Sequence, residues 1–212
     1  MRVKFCGITR IEDAREAARL GAWAIGLNHW AGSPRRCDPG TAVAISAELR
    51  RKVEICGVFV NASLEEIAHA VEDEQLSMVQ LHGDEGPAFC QEVARRTGAK
   101  VIKAIRVRSP ADLQAAEAFR TNYHLLDAHR PGTPGGTGES FDWELLREHR
   151  SDVPTILAGG LGPENVARAI EVTGPAAVDV ASGIEAAPGV KEPGLMADFA
   201  AAAGLQVPAA SS

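Results

Sequence analysis

No two cysteines in this chain are close enough to form a CxxC pair. Cys6, Cys37, Cys56 and Cys90 are widely spaced, which argues against a zinc site and against a disulfide framework and points to a reducing, cytoplasmic setting. Basic residues are not in excess. The formal net charge of −6 argues against a general nucleic-acid or membrane-surface role, while leaving room for a local basic site that holds a small anion. No apolar run is long or uninterrupted enough to span a bilayer. The opening Met1-Arg-Val-Lys-Phe-Cys reads as a strand and contains no signal-peptide core. No Gly-x-Gly-x-x-Gly follows that strand, so the usual dinucleotide fingerprint is missing. No linker or composition shift divides the 212 residues, a length that suits one good core.

What is present is a regular alternation of short apolar strands and amphipathic helices. The expected strands are Val3–Cys6, Trp23–Leu27, Glu54–Val60, Ser77–Leu81, Lys100–Val107, Tyr123–Asp127, Pro154–Leu157 and Ala177–Val180. Helices are expected over Ile11–Leu20, Thr41–Arg50, Ser63 to Asp73, Pro87 to Arg96, Ser109 to Phe119, Trp143–Arg150, Pro163 to Val172 and Glu192–Ala203. Thr9 with Glu12, and Ser63 with Glu66, have capping-box spacing, Pro87 suits a first helical turn, and Gly98 suits a helix stop. Eight strand–helix pairs, with strands apolar on both faces, predict a single-domain α/β protein, a (β/α)8 TIM barrel over residues 1–204 with a frayed tail at 205–212.

In such a barrel the active site lies at the C-terminal ends of the strands, and the unusual residues of this chain fall there. Gly159-Gly160 and Ser182-Gly183 follow the seventh and eighth strands, where glycine-freed amides suit a phosphate. The sixth strand ends in Asp127 and opens a loop with four glycines and two prolines, including Gly135-Gly136-Thr137-Gly138. A loop this long in a compact domain is functional or disordered, and the carboxylate at its start favours function. Cys6 ends the first strand. A free cysteine is most often a small buried hydrophobe, but with Asp127 it suggests an acid–base pair across the barrel mouth. Arg35, on the loop after the second strand, could grip a carboxylate or simply be solvated. His82 could be a ligand, a donor or a satisfied polar residue. Strand alternation puts Lys4 on the face of Cys6, and Asp179 opposite Val178 and Val180. Since the first and eighth strands adjoin in a closed barrel, a Lys4–Asp179 ion pair is expected inside it.

The chain resembles the phosphoribosylanthranilate isomerase family of tryptophan biosynthesis over nearly its whole length. The resemblance rests on Lys4-Phe-Cys-Gly-Ile-Thr9, Ser33-Pro-Arg35, Gln80-Leu-His-Gly-Asp-Glu85, Leu126-Asp127, Gly135-Gly-Thr-Gly138 with Phe141-Asp-Trp143, Leu157-Ala-Gly-Gly-Leu161 with Pro163-Glu-Asn-Val166, Val178-Asp-Val180, Ser182-Gly-Ile-Glu185 and Pro188-Gly-Val-Lys191. It implies a cofactor-free barrel isomerase that carries out an Amadori rearrangement of N-(5-phosphoribosyl)anthranilate. It further implies Cys6 as general base, Asp127 as general acid and Arg35 as the anthranilate carboxylate site. Gly136, Gly159, Gly160, Ser182 and Gly183 would hold the phosphate, with Lys4, His82 and Asp179 in support and no metal. The segment Leu27-Asn28-His29-Trp30 departs from the family's bulky apolar run, although Trp30 could supply an aromatic wall to the pocket.

Two other readings stand beside this one. A histidine-pathway type of aminoaldose isomerase would rely on paired aspartates, which Cys6 argues against. A non-catalytic sugar-phosphate-binding barrel would not need Cys6 and Asp127 together. The expected partner is a phosphorylated small molecule, not nucleic acid or membrane, and both monomer and homodimer are compatible with the sequence.

Overall fold

A computed structural model describes residues 1–128, 143–149 and 151–205. Eight parallel strands close into a barrel in sequence order: β1 (Arg2–Cys6), β2 (Ala24–Asn28), β3 (Glu54–Phe59), β4 (Met78–Leu81), β5 (Lys100–Arg106), β6 (Tyr123–Asp127), β7 (Thr155–Ala158) and β8 (Ala177–Val180). Between them lie α1 (Ile11–Arg19), α2 (Pro39–Leu49), α3 (Leu64–Asp73), α4 (Pro87–Thr97), α5 (Pro110–Ala116), a 3-10 helix (Trp143–Glu148) and α6 (Val166–Thr173), and α7 (Pro193–Ala202) comes last. The expected (β/α)8 barrel is therefore present. The glycine-rich loop at 129–142, with Gly136, and the tail from 206 onward lie outside the described residues.

Alternation along each strand divides the core in two. Val3 and Phe5 face outward into the layer between sheet and helices, where Phe5 meets Phe199 of α7 edge-on at 6.3 Å. Small and medium side chains, among them Ala24, Met78, Ile102, Leu125 and Ile156, fill the barrel interior. Lys4 also points inward. Its Nζ reaches Asp179 on the neighbouring β8 at 2.7 Å and Gln80 across the barrel at 3.0 Å. The β1–β8 register sets Lys4 opposite Asp179, so the ion pair spans the seam where the barrel closes.

Most helix ends follow local chemistry. Ser63 and Glu66 form a reciprocal capping box, and Gly98 ends α4 in the left-handed conformation at φ 69°. Asp38 caps α2 by accepting from the Thr41 amide, so that helix begins at Pro39 rather than Thr41. Thr9 does not cap α1 and makes no capping box with Glu12: Arg10 holds the N-cap position, and the Thr9 hydroxyl donates to the Gly189 carbonyl. That carbonyl belongs to an unexpected antiparallel hairpin of β9 (Glu185–Ala187) and β10 (Val190–Lys191). The predicted helix over Trp143–Arg150 is a short 3-10 segment, in which the His149 amide donates to the Leu146 carbonyl three residues back, the tighter turn favoured in short pieces. Helix α6 starts at Val166 rather than Pro163. Asn165 accepts from the Gly162 amide and donates to the Gly160 carbonyl, and so uses those residues as a turn. Among the described residues no helix is long and apolar enough to cross a membrane.

A second buried ion pair lies outside the barrel wall. Lys103 Nζ meets Glu85 at 2.7 Å and the Gly83 carbonyl at 2.7 Å, while Glu85 accepts from the backbone amides of Asn61 and Gly83. These contacts tie the loop after β4 to the loop after β3. Burial alone would raise the Glu85 carboxyl, but the bonds to Lys103 and Asn61 hold it below the ordinary value. A carboxyl depressed in the folded state stabilises the protein above the unfolded pKa, and that stability is lost as pH falls through the folded value. Removing one partner of a buried pair leaves an uncompensated charge, so Glu85→Ala is expected to cost about 3–5 kcal/mol in urea unfolding. A loss below about 1 kcal/mol would place the pair with exposed ones.

Candidate active site at the barrel mouth

At the C-terminal end of the strands a cavity of about 450 Å³ opens. Its lining draws on the ends of every strand but β5 or the loops after them, and includes Cys6, Arg35, His82, Asp127, Gly159 and Ser182. Eight short parallel strands all end at this rim, so residues far apart in sequence converge without any one loop having to place them.

Cys6 ends β1 with its side chain inward, above Lys4. Its register partner on β2 is Gly26, and a Cβ at Gly26 would stand 2.7 Å from Cys6 Sγ and 3.1 Å from Lys4 Nζ. Only a residue with no side chain leaves that space to the thiol and the ammonium. Burial and the Asp179 carboxylate push the Cys6 thiol up, while Lys4 and Lys191 pull the other way, and the balance is a raised value. For Lys4, burial works against the charge, but Asp179, Cys6 and Cys56 outweigh it and the ammonium is held.

Asp127 ends β6 on the far side of the mouth. His82 Nε2 lies 3.4 Å from Asp127 Oδ2, and His82 Nδ1 lies 2.8 Å from Gln80 Nε2. Gln80 accepts from Lys4 through its other amide atom. The site's carboxylate end and its thiol end thus share one line of polar contacts through the barrel interior.

On the β7–β8 side the lining is mostly backbone. Gly159 and Gly160 both take positive φ, at 94° and 64°, which turns the chain so that it runs into the Asn165 cap. Ser182 lines the cavity, and Gly183 follows it against the Leu161 backbone. Arg35 reaches the site from the loop after β2, but it is already engaged. Its Nε and Nη2 hold Glu185 bidentately, at 2.9 and 2.8 Å for the shorter contacts. Glu185 also accepts from Lys191 Nζ at 2.9 Å, and Lys191 is fully enclosed beneath it. Burial opposes the Glu185 charge, yet the two cations lower its carboxyl below the ordinary value, whereas for Lys191 burial dominates and lowers the ammonium.

The polar segment after β2 shapes this loop. Asn28 accepts from the Trp30 amide and donates to Ser33 Oγ, which in turn accepts from the Arg35 amide. His29 turns away from the cavity, stacks on Phe59 at 4.6 Å and faces the buried Glu74 at 3.2 Å. Trp30 is 48 % exposed and does not line the cavity, so the expected aromatic wall is absent from that position.

A family model described as N-(5'-phosphoribosyl)anthranilate (PRA) isomerase matches residues 3–202. The chain belongs to the N-(5'-phosphoribosyl)anthranilate isomerase family. The N-(5'-phosphoribosyl)anthranilate isomerase of Syntrophomonas wolfei is 46% identical over 198 residues, covering 93% of this chain and 95% of that protein. That of Neisseria meningitidis is 45% identical over 205 residues, with 96% of each covered. The crystal structure of phosphoribosyl anthranilate isomerase from Thermotoga maritima superposes with a TM-score of 0.86 at 41% identity, covering 96% of this chain and 98% of that one. A further structure of the enzyme, in complex with reduced 1-(o-carboxyphenylamino)-1-deoxyribulose 5-phosphate, superposes at 0.83 with 39% identity, over 96% and 98% of the two chains. This chain is thus an isomerase of that family, built on one barrel.

Of the residues singled out from sequence, Cys6, Arg35, His82, Asp127, Gly159, Gly160, Asp179 and Ser182 line one cavity. Lys4 lies buried beneath it, and Gly136 is outside the described residues. Gln80, Glu185, Lys191 and Gly26 had no role assigned from sequence. The alternation that pointed Lys4 inward also puts Gln80 inward, between Met78 and His82. Nothing local in the sequence brings Glu185 to Arg35, 150 positions away.

Gly26→Ala is expected to push Cys6 Sγ aside and lower kcat by roughly 100-fold, the cost of an ångström-scale misplacement. Steady-state kinetics on the folded variant checks this, and an unchanged kcat would mean that the thiol's position is not set by Gly26.

Proposed function

We propose that this chain converts N-(5'-phosphoribosyl)anthranilate to 1-(o-carboxyphenylamino)-1-deoxyribulose 5-phosphate by an Amadori rearrangement, with Asp127 as general acid and Cys6 as general base. The observation that carries the reading is that a carboxyl group and a thiol, on β6 and β1, line the same cavity, whose β7–β8 side is glycine-rich backbone. The solved relative bound to a reduced form of that product, at 39% identity, supports the same substrate class here.

The steps follow from the residue types. Protonated Asp127 gives its proton to the furanose ring oxygen as the bond from the anomeric carbon to that oxygen breaks. The anilino nitrogen's lone pair forms the C=N bond, leaving a cationic Schiff base. That cation acidifies the proton on the second sugar carbon, so a weak base suffices. Cys6, as thiolate, removes the proton, and the electron pair moves toward nitrogen to give an enolamine. Its hydroxyl proton is lost and the first carbon is protonated, which yields the ketose. Gly159, Gly160, Ser182 and Gly183 hold the phosphate through backbone amides and a hydroxyl. Arg35, fixed by Glu185, presents its remaining donor edge to the anthranilate carboxylate. The cytoplasm is the setting that suits four unpaired thiols.

Loss of the substrate's anthranilate fluorescence measures turnover directly. Cys6→Ala and Asp127→Asn are each expected to lower kcat by about 100- to 10,000-fold while a product analogue still binds. Full activity in either would remove that residue from its role. Arg35→Lys is expected to raise KM about ten-fold or more, because an ammonium cannot reproduce the fork. The reactive form carries one proton between the two groups, on Asp127. Activity therefore falls on the alkaline side when that last proton leaves the pair. Burial raises the Cys6 thiol above its ordinary 9.0, so kcat/KM should hold through neutral pH and decline only above that range. A decline centred near pH 7 would count against Cys6 as the partner.

A further inference from the structure

Lys4, Gln80, His82 and Asp127 form a line in which the donors and acceptors can be assigned without seeing a hydrogen atom. Lys4 is fully buried, and its ammonium has three donors and no acceptor. The Gln80 atom 3.0 Å from Lys4 Nζ must therefore be the carbonyl oxygen, which fixes the amide against a flip. The Gln80 NH₂ group then faces His82 Nδ1 at 2.8 Å. An amide nitrogen only donates, so His82 Nδ1 must accept. A neutral imidazole that accepts at Nδ1 carries its proton on Nε2, and Nε2 is the atom 3.4 Å from Asp127 Oδ2.

We propose that Lys4 and Gln80 lock His82 in its neutral, Nε2-protonated form, so that His82 presents an N–H donor and not a lone pair to Asp127 Oδ2. This rests on the reading of Asp127 as the general acid. His82, Gln80 and Lys4 are positioning residues: they act on the acid and not on the reacting atoms. An imidazolium in the same place would set a ring N–H against the amide N–H, and it would hold Asp127 as the anion, which has no proton to give. At 3.4 Å, Nε2 and Oδ2 are neighbours at more than the ordinary hydrogen-bond length.

Among the described residues, few charged groups stand around this line. Lys4 stands below it on β1 and is paired with Asp179 of β8. Arg106, the register partner of Asp127 on β5, stands exposed at the rim. Glu85, in the same loop as His82, is turned away to Lys103. The carboxylate that faces His82 Nε2 is that of Asp127.

The test is ¹⁵N NMR of the His82 ring nitrogens, assigned by their disappearance in His82→Gln. In the wild-type chain the expected pattern is an unprotonated Nδ1 and a protonated Nε2. In Gln80→Glu, where a carboxylate replaces the donor, Nδ1 is expected to become protonated. There kcat should fall roughly ten- to a hundred-fold, with KM changed less than about three-fold. As a second route, His82→Gln, which keeps an N–H near the Nε2 position, should retain more of kcat than His82→Leu. A wild-type His82 protonated on Nδ1, an unaltered kcat in a folded Gln80→Glu, or equal losses in His82→Gln and His82→Leu would each overturn the lock. The reading beneath it fails separately. Full turnover by Asp127→Asn would remove the acid whatever the tautomer, whereas an inactive Asp127→Asn alongside an Nδ1-protonated His82 would remove the lock alone.

Discussion

The ion pair between Lys4 and Asp179 is the constraint on which the rest of this barrel depends. It sits at the seam where the last strand meets the first, with Lys4 wholly out of water. Breaking such a pair by removing one partner is strongly destabilising, because the remaining charge has no solvent to turn to. Each neighbouring feature accommodates that ammonium. Gly26 leaves it space, Gln80 gives it a carbonyl oxygen, and Cys6 sits within its field. A hydrophobic residue could have filled the same volume and closed the seam. The ammonium in addition fixes which way the Gln80 amide points.

The same economy appears outside the wall. Lys103 and Glu85 bury a second pair, whose carboxylate also takes the backbone amides of Asn61 and Gly83. One pair closes the sheet from inside. The other holds two adjacent loops from outside, next to the residue that reaches Asp127. The loops after β3 and β4, at the rim of the candidate site, are therefore anchored by buried charges with satisfied hydrogen bonds, the condition under which such pairs are tolerated in an interior.

Much of this was legible in the sequence, for identifiable reasons. Short apolar runs alternating with helical segments, and the turn punctuation between them, mark out eight units, and eight units predict the barrel. Once the barrel is assumed, strand ends and inward faces follow by counting, which is how Lys4 was matched with Asp179 and how Cys6 and Asp127 were put at one rim. Features set by tertiary contact were not legible. Thr9 has the right type and spacing to cap α1, but the hairpin of β9 and β10 offers its hydroxyl a carbonyl, and that competing acceptor prevails. Pro163 looks like a helix start, yet Asn165 spends the first turn tying down Gly160. Trp30 and His29 carry no local mark of which one turns inward, and neither lines the cavity.

The cluster of Arg35, Glu185 and Lys191 has a consequence for selectivity. One carboxylate lies between two cations, so the trio carries a single positive charge that belongs to no one residue. If Arg35 holds the substrate's carboxylate as proposed, the anion would be drawn to the cluster as a whole, while the donor edge that Glu185 leaves on Arg35 would decide which anion can stay. Lys191 does not line the cavity, yet it sets the sign of that wall: with its charge removed the remaining pair would be neutral with every lining atom still in place.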